Sequence, residues 1–374
     1  MAKTINYSYE TLKTFCVDAF QKFGFSSEQA EIITESLLLA DLYGIESHGI
    51  QRLVRYHTCI KRGMIHIDAT PEIVFETPVS AVIDGHEGMG QLISHKAINL
   101  AIEKAKNCGM AMVVVRNSNH YGIAGYYAKM AAEQGLIGIS STNTEAICVP
   151  TYGKKAMLGT NPIAVAAPAE PYMFLFDAST SVVTRGKLEV CNKLDKPLYE
   201  NWANNNEGVV STDAAEVLTC IKNRTCGGIL PLGGSEESTG SHKGYGYGML
   251  VEYMTGILSM GLTSNKTGNN NHGGICHSFI VIDPNIFGSA EDIKKHFSNY
   301  LDELRNSPKA LGQDKIYTHG EKEVAAYADR MKNGINVNVN TVAEMRDCAQ
   351  YLGMDVVKYL GEEALNIKGK ESLY

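Results

Sequence analysis

The periodicity of the apolar residues changes twice along this chain, and that change limits the folds open to it. Over residues 9–43 they recur at helical spacing: Phe15, Ala19, Phe20 and Phe23 share one stripe, and Ile32, Ile33, Leu37 and Leu38 share the next. Gly24 separates the stripes. Beyond it, Ser26 or Ser27 with Glu28 and Glu31 sets a helix start, a hydroxyl cap followed by acids where the helix dipole favours them. A third helix is expected over 52–62, closed by Gly63. Near Pro71 the pattern becomes that of strands, at 73–76 and 80–84, then a turn over 85–90 and an amphipathic helix over 92–108. Residues 110–115 are short, apolar and β-branched, which marks a buried strand. A helix over 124–134 and strands at 136–141, 163–167 and 173–176 follow. The stretch 186–240 reads as mostly loop, with one short helix at 213–223. A helix at 247–260 and a strand at 277–282 complete the middle. Helical patterns return over 290–306, 323–333 and 341–352. Helical ends around a mixed middle predict an α/β protein in which 1–75 and 290–374 build a helical outer domain around an inserted mixed domain, 76–289.

Composition narrows the function. A formal charge of −7 disfavours nucleic acid, since binding a phosphate backbone needs a basic face. The nine cysteines, at 16, 59, 108, 148, 191, 220, 226, 276 and 348, form no Cys-x-x-Cys pair. An odd, scattered set reads as reduced thiols of a cytoplasmic protein. The N-terminus lacks the apolar core of a signal peptide, and Gly, Asn and Pro interrupt every apolar stretch before it reaches membrane length. No membrane partner is expected.

No segment has the Gly-x-Gly-x-x-Gly spacing of a common dinucleotide loop. Gly85, Gly88 and Gly90 follow a strand and precede a helix, but at the wrong intervals. Four other segments gather polar groups beside glycine. In Glu46-Ser47-His48-Gly49-Ile50-Gln51-Arg52, an Arg on the first turn of a helix can fork onto a carboxylate in a way Lys cannot. In Asn117-Ser118-Asn119-His120-Tyr121-Gly122, a His just past a buried strand can exchange a proton near neutral pH. Ser140-Ser141-Thr142-Asn143-Thr144 and Gly159-Thr160-Asn161-Pro162 offer hydroxyls, amides and backbone N–H groups suited to a ribose and phosphates. His242-Lys243-Gly244-Tyr245-Gly246 opens a helix, where a Lys joins the free N–H groups in meeting an anion. Each segment also has a structural reading as a cap, turn or surface loop. Cys276, His277 and His272 lie close in sequence, but strand alternation sends Cys276 and His277 to opposite faces, so no metal is expected.

Taken together and in this order, Ser47-His48-Gly49, Asn119-His120-Tyr121-Gly122, Gly159-Thr160-Asn161-Pro162 and His242-Lys243-Gly244-Tyr245-Gly246 resemble the malate/L-lactate dehydrogenase family of the non-Rossmann type. Ureidoglycolate, sulfolactate and diketogulonate dehydrogenases belong to that family, and the likeness runs over about 9–353. The resemblance implies a mixed-sheet nucleotide-binding domain inserted into a helical one, a homodimer, and NAD as cofactor with NADP as the alternative. It implies interconversion of a 2-hydroxy acid with its 2-oxo acid, malate with oxaloacetate first, and lactate, sulfolactate or ureidoglycolate as alternatives. Carried over by motif, His120 is the acid/base, and His48, Arg52 and Thr160 belong to the substrate pocket. Thr144, Asp177, Ala178, Ser179, Lys243, Gly320 and Glu321 meet the cofactor. Three features depart from the family pattern: Thr318 stands where Pro opens the late motif, Ala178 replaces a common Met, and the Asn-rich tract 265–274 is inserted. The residues alone leave two other classes open, a metal-assisted hydrolase using His120, His272 and His277, and a catalytically silent nucleotide-binding protein.

Overall fold

The computed structural model describes residues 4–268 and 273–369. After β1 (Thr4–Tyr7), α1 (Tyr9–Phe23) begins where the Ser8 hydroxyl accepts the Thr11 N–H, and it is turned at its end by Gly24 at φ 112°. α2 (Ser27–Leu42) opens on a reciprocal pair of bonds: Ser26 Oγ accepts the Gln29 N–H, and the Gln29 side chain accepts the Ser26 N–H. Two single 3-10 turns, Glu46–His48 and Ile50–Arg52, lead into α3 (Leu53–Lys61). Leu12, Phe15, Phe20, Ile33, Leu37, Leu38, Leu53 and Tyr56 are fully buried between these helices.

The chain then enters the sheet through β2 (Glu72–Thr77), β3 (Ser80–Asp84), α4 (Gly90–Cys108), β4 (Met110–Ser118), α5 (Ala124–Ala132), β5 (Ile137–Thr142), β6 (Ile163–Ala167) and β7 (Phe174–Ala178). Each follows the expected pattern closely. β4 and β7, however, run past the ends of their apolar cores, so that Ser118, Asp177 and Ala178 are strand residues.

Next comes a small lobe of α6 (Arg185–Lys193), β8 (Ala203–Asn204), α7 (Ala214–Asn223) and β9 (Gly228–Ile229), cored by Ile147, Leu188, Val217 and Ile229. α6 was expected to be loop; it has little apolar surface of its own and is held by Leu188 packing into this lobe. α8 (Ser241–Glu252) starts six residues before the helix expected at 247 and runs on into a π turn at Tyr253–Ile257. Its glycines disguise it. A Cβ on Gly244 would stand 2.2 Å from the Leu232 carbonyl oxygen, so the residue that weakens the helical signal is the one that lets the helix dock.

β10 (Ile275–Ile282) returns to the centre of the sheet. Among the described residues the order is β2-β3-β4-β10-β5-β6-β7, with β3 and β4 parallel and every other neighbour antiparallel. A doubly wound nucleotide fold would need parallel strands joined by crossovers, so this is a mixed, non-Rossmann sheet. α4 and α5 cover one face, burying Ala97, Ile98, Ala101, Tyr127 and Ala128 against Ile83, Val113, Val115 and Phe279.

The chain ends with α9 (Ala290–Asn306), α10 (Glu321–Asn333), β11 (Ile335–Asn338), α11 (Val339–Tyr351) and α12 (Val356–Leu360). β1 pairs antiparallel with β11, Thr4 opposite Asn338 and Tyr7 opposite Ile335. Neither strand was expected, since four-residue segments so far apart in sequence carry no local signature. α11 and α12 add Val342, Met345, Cys348 and Leu360 to the core of α1–α3, so the helical layer is built from both ends of the chain. α9 lies on the sheet side, its Phe297 ring edge-on to Phe174 at 5.3 Å and its Arg305 donating to Tyr172 Oη and Thr318 Oγ1.

Candidate active site

The 46–52 segment is bent by a buried carboxylate. Asp41, near the end of α2, accepts the Ile50 N–H on Oδ2 at 2.6 Å. Gly49 is required by this approach, because a Cβ there would lie 2.0 Å from Asp41 Oδ1. Burial pushes the Asp41 carboxyl up to about 7, against the opposing pull of the Ile50 N–H and of Arg330. Arg330 ties the same bend down by donating to the Asp41 carbonyl at 2.6 Å and to Glu46 Oε1 at 2.9 Å. His48 and Arg52 are thereby turned toward a cleft at the edge of the sheet. Ser47 Oγ sits 2.8 Å from His48 Nδ1, and Arg52 Nε donates to the Ser47 carbonyl at 2.6 Å.

His120 reaches the same cleft from the other layer. β4 ends at Ser118, and the next side chain, Asn119, donates from Nδ2 to the carbonyls of Met64, Glu87 and Gly88 at 3.0 Å each. His120 Nδ1 is 2.9 Å from Tyr56 Oη, and its ring lies nearly parallel to that of His48 with centroids 5.7 Å apart. Burial holds His120 well below the ordinary imidazole value, helped by the Arg55, His48 and Arg52 charges. Burial, then Arg52 and Arg55, brings His48 down to about 3. With no anion beside them, both imidazoles are neutral at pH 7.

Around these two rings the cleft is lined by Thr144, Thr160, Asp177, Ala178 and Ser179, all expected from sequence, and by apolar walls from Ile123, Ile147, Pro162 and Ile275. Thr160 N–H donates to Thr144 Oγ1 at 3.1 Å, which joins the two hydroxyl-bearing loops. Asp177 accepts the Gly125 N–H at 2.7 Å, and burial pushes its carboxyl up to about 6. The opposite rim is the start of α6, where Thr184, Arg185 and Gly186 face the cleft and Thr184 makes no side-chain cap. An uncapped helix start with an Arg suits a pyrophosphate, the hydroxyls suit riboses, and the apolar walls suit flat rings. The donor set therefore fits a dinucleotide.

Sequence patterning did not single out Arg55, Tyr56, Glu145 or Arg185. The first two are one helical turn beyond Arg52, and that spacing on a helix face was the available signal. Lys243, Gly320 and Glu321 do not line this cleft. Lys243 is exposed on α8. Gly320, at φ 100°, abuts the Met173 carbonyl at the far end of β7, and Glu321 accepts from Tyr172 Oη at 2.9 Å and pairs with Lys315. His277 is engaged by Thr142 Oγ1 and Ser118 Oγ at 2.8 and 2.9 Å, stacks on Tyr121, and is brought down to about 3 by burial. His272 lies outside the described residues.

A family model described as Malate/L-lactate dehydrogenase matches residues 7–346. The chain is similar to malate dehydrogenase of Pyrococcus horikoshii, at 42% identity over 348 residues that cover 92% of this chain and 95% of that one. It is also similar to L-sulfolactate dehydrogenase of Methanocaldococcus jannaschii, at 38% over 355 residues, covering 94% and 98%. The crystal structure of malate dehydrogenase from Entamoeba histolytica matches with a TM-score of 0.91 at 37% identity, over 94% of this chain and 99% of that chain. The chain belongs to the malate/L-lactate dehydrogenase family. It is a nicotinamide-dependent oxidoreductase that interconverts 2-hydroxy and 2-oxo acids.

The bend at Gly49 gives a direct test of how the site is seated. Gly49→Ala would push the Asp41 carboxylate off the Ile50 N–H, at a cost of about 1–3 kcal/mol. Urea unfolding should show that loss, and steady-state rates should show KM for the 2-oxo acid rising more than kcat falls. Parental values of both would mean that Asp41 does not seat His48 and Arg52.

Proposed function

We propose that this enzyme interconverts malate and oxaloacetate, using NAD as cofactor and His120 as the group that moves the proton. The observation that carries the reading is a neutral imidazole beside two arginines in one cleft with a dinucleotide-suited rim. Arg52 forks onto the substrate carboxylate and holds the 2-hydroxyl against His120. Bound nicotinamide supplies the two-electron chemistry at C2. In oxidation His120 Nε2 takes the hydroxyl proton, while Tyr56 at Nδ1 fixes the ring so that Nε2 faces the substrate. In reduction the protonated ring returns the proton to the carbonyl oxygen. His48, neutral and anchored by Ser47, offers a hydrogen bond without competing for the charge.

Thr144, Thr160, Asp177, Ala178 and Ser179 line the cleft and would face the dinucleotide. Lys243, Gly320 and Glu321 have no part in this cleft as one chain forms it. Malate is preferred among the 2-hydroxy acids because two of the similar proteins are named malate dehydrogenase. The domain division proposed is 1–75 with 290–374 around 76–289, except that α9 (Ala290–Asn306) packs on the sheet side and goes with the insert.

The reading includes a homodimer. Tyr247, Leu250, Tyr253, Ile257 and Met260 are exposed at helical spacing along α8 and the turn after it, an apolar stripe that a second copy would cover. A chain that sediments as a monomer at micromolar concentration would remove that part. Among the described residues no helix is long and apolar enough to cross a membrane. The nine cysteines, all free, support the cytoplasm as its compartment.

Oxaloacetate-dependent loss of NADH absorbance is expected, and His120→Asn should lower turnover by about 10²–10⁴ while cofactor binding is largely kept. Near-normal turnover in that variant would pass the role to His48.

The depressed His120 also fixes the sign of the pH response. Oxidation needs the neutral ring, so kcat/KM for malate should stay level from about pH 8 down past 6.5. Reduction needs the protonated ring, so kcat/KM for oxaloacetate should rise as pH falls over that range, by about tenfold per unit. Profiles of the opposite sense would remove His120 as the proton carrier.

A further inference from the structure

We infer that Arg55 selects the second anionic arm of the substrate, held in a side cavity that opens off the cleft beside His120. The inference rests on the proposed reduction of a 2-oxo acid at His120.

The side cavity is lined by Arg55, Cys59, Met64, Ile65, Glu145 and Ile275, with His120 at its mouth. Arg55 and Glu145 line both spaces, whereas Arg52 lines the main cleft alone. Arg52 and Arg55 are three residues apart at the start of α3 and so project from neighbouring positions on one face. Both lie near both rings, with Arg55 the larger of the two charges acting on His120 and Arg52 the larger acting on His48. A substrate whose C2 oxygen meets His120 can therefore place its first carboxylate on Arg52 and extend its remaining carbons toward Arg55.

The cavity is built for a charge of one sign. Its acid, Glu145, is already held by Arg224 Nη2 at 2.5 Å. The ion pairs of the described residues give Arg55 no carboxylate, and its side-chain hydrogen bond is to the Cys59 thiol. Met64, Ile65 and Ile275 supply apolar walls that offer a guanidinium nothing. An anionic arm entering here meets a half-buried guanidinium in a lined pocket, and a methyl group in its place leaves that cation unmatched. Sites built to pair a buried polar group discriminate strongly against analogues that lack the partner, whereas apolar pockets do not. The main cleft can accept any 2-oxo acid; the side cavity makes the difference between a four-carbon diacid and pyruvate.

The experiment uses the purified full chain and measures NADH consumption with oxaloacetate and with pyruvate, for the parent, Arg55→Gln and Arg55→Met. The ratio of kcat/KM for oxaloacetate to that for pyruvate should fall by about 30-fold or more in each variant that keeps the parental melting profile. The parent itself gives a test that needs no variant: 2-oxosuccinamic acid, the distal amide of oxaloacetate, should be reduced about 30-fold or more less efficiently than oxaloacetate. A ratio within about threefold of the parent's, including equal loss on both substrates, overturns the assignment. So does an amide accepted as well as the acid, or a fall in the ratio seen with Arg52→Gln and not with Arg55→Gln. A parent that reduces no 2-oxo acid would instead defeat the proposed function.

Discussion

The Asn119 side chain holds the two layers of this enzyme together beside the cleft that His48 and His120 line. Its amide reaches the carbonyls of Met64, Glu87 and Gly88, which belong to the segment after α3 and to the turn before α4. The next residue is His120, and its partner Tyr56 comes from α3. The sheet provides the strand that leads to the His120 ring, the helices provide the arginines, and this amide fixes the offset between them. Gly90 tightens the joint further, since a Cβ there would lie 2.3 Å from the Asn119 carbonyl oxygen. Glu87 extends it by accepting the N–H groups of Gly273 and Gly274, at the far side of the side cavity.

The electrostatics of the site follow from that joint. Two half-buried imidazoles lie close together with two guanidiniums nearby, and both guanidiniums disfavour protonation. Burial is the largest cause in both rings and the arginine charges add to it, so an arriving anion can offset only the smaller part. What distinguishes the two rings, stacked 5.7 Å apart, is the hydroxyl at each Nδ1: Tyr56 for His120 and Ser47 for His48.

Much of this was legible in the residues, and what was not has physical causes. α1 and α2 announce themselves through Ser8, Gly24 and the Ser26–Gln29 pair, because caps satisfy backbone groups locally. β4 announces itself through its β-branched run. The first turns of α8 carry a weak helical signal because Gly244, Gly246 and Gly248 lower helical propensity, while docking of Gly244 against Leu232 needs that very absence of side chain. α6, β1 and β11 draw their stability from distant partners and leave no periodic trace. Of the site, His48, Arg52 and His120 stood out as polar groups flanked by glycine. Arg55 and Tyr56 did not, since each also reads as an ordinary helix residue until the fold shows what faces it. Lys243, Gly320 and Glu321 were named by motif alone and lie outside the cleft as one chain forms it.

The pairing of β1 with β11 has a consequence for synthesis. The helical layer that carries His48 and Arg52 takes part of its core from residues 335–367, which are made after every strand of the seven-stranded sheet. α1 to α3 must wait with one flank uncovered while the whole sheet is made, and loop closure over so long a span is entropically slow. The layer carrying Arg52 and Arg55 is therefore completed only after the strand leading to His120 has been able to find its neighbours. A nascent chain would carry a formed sheet well before it could turn over a single molecule.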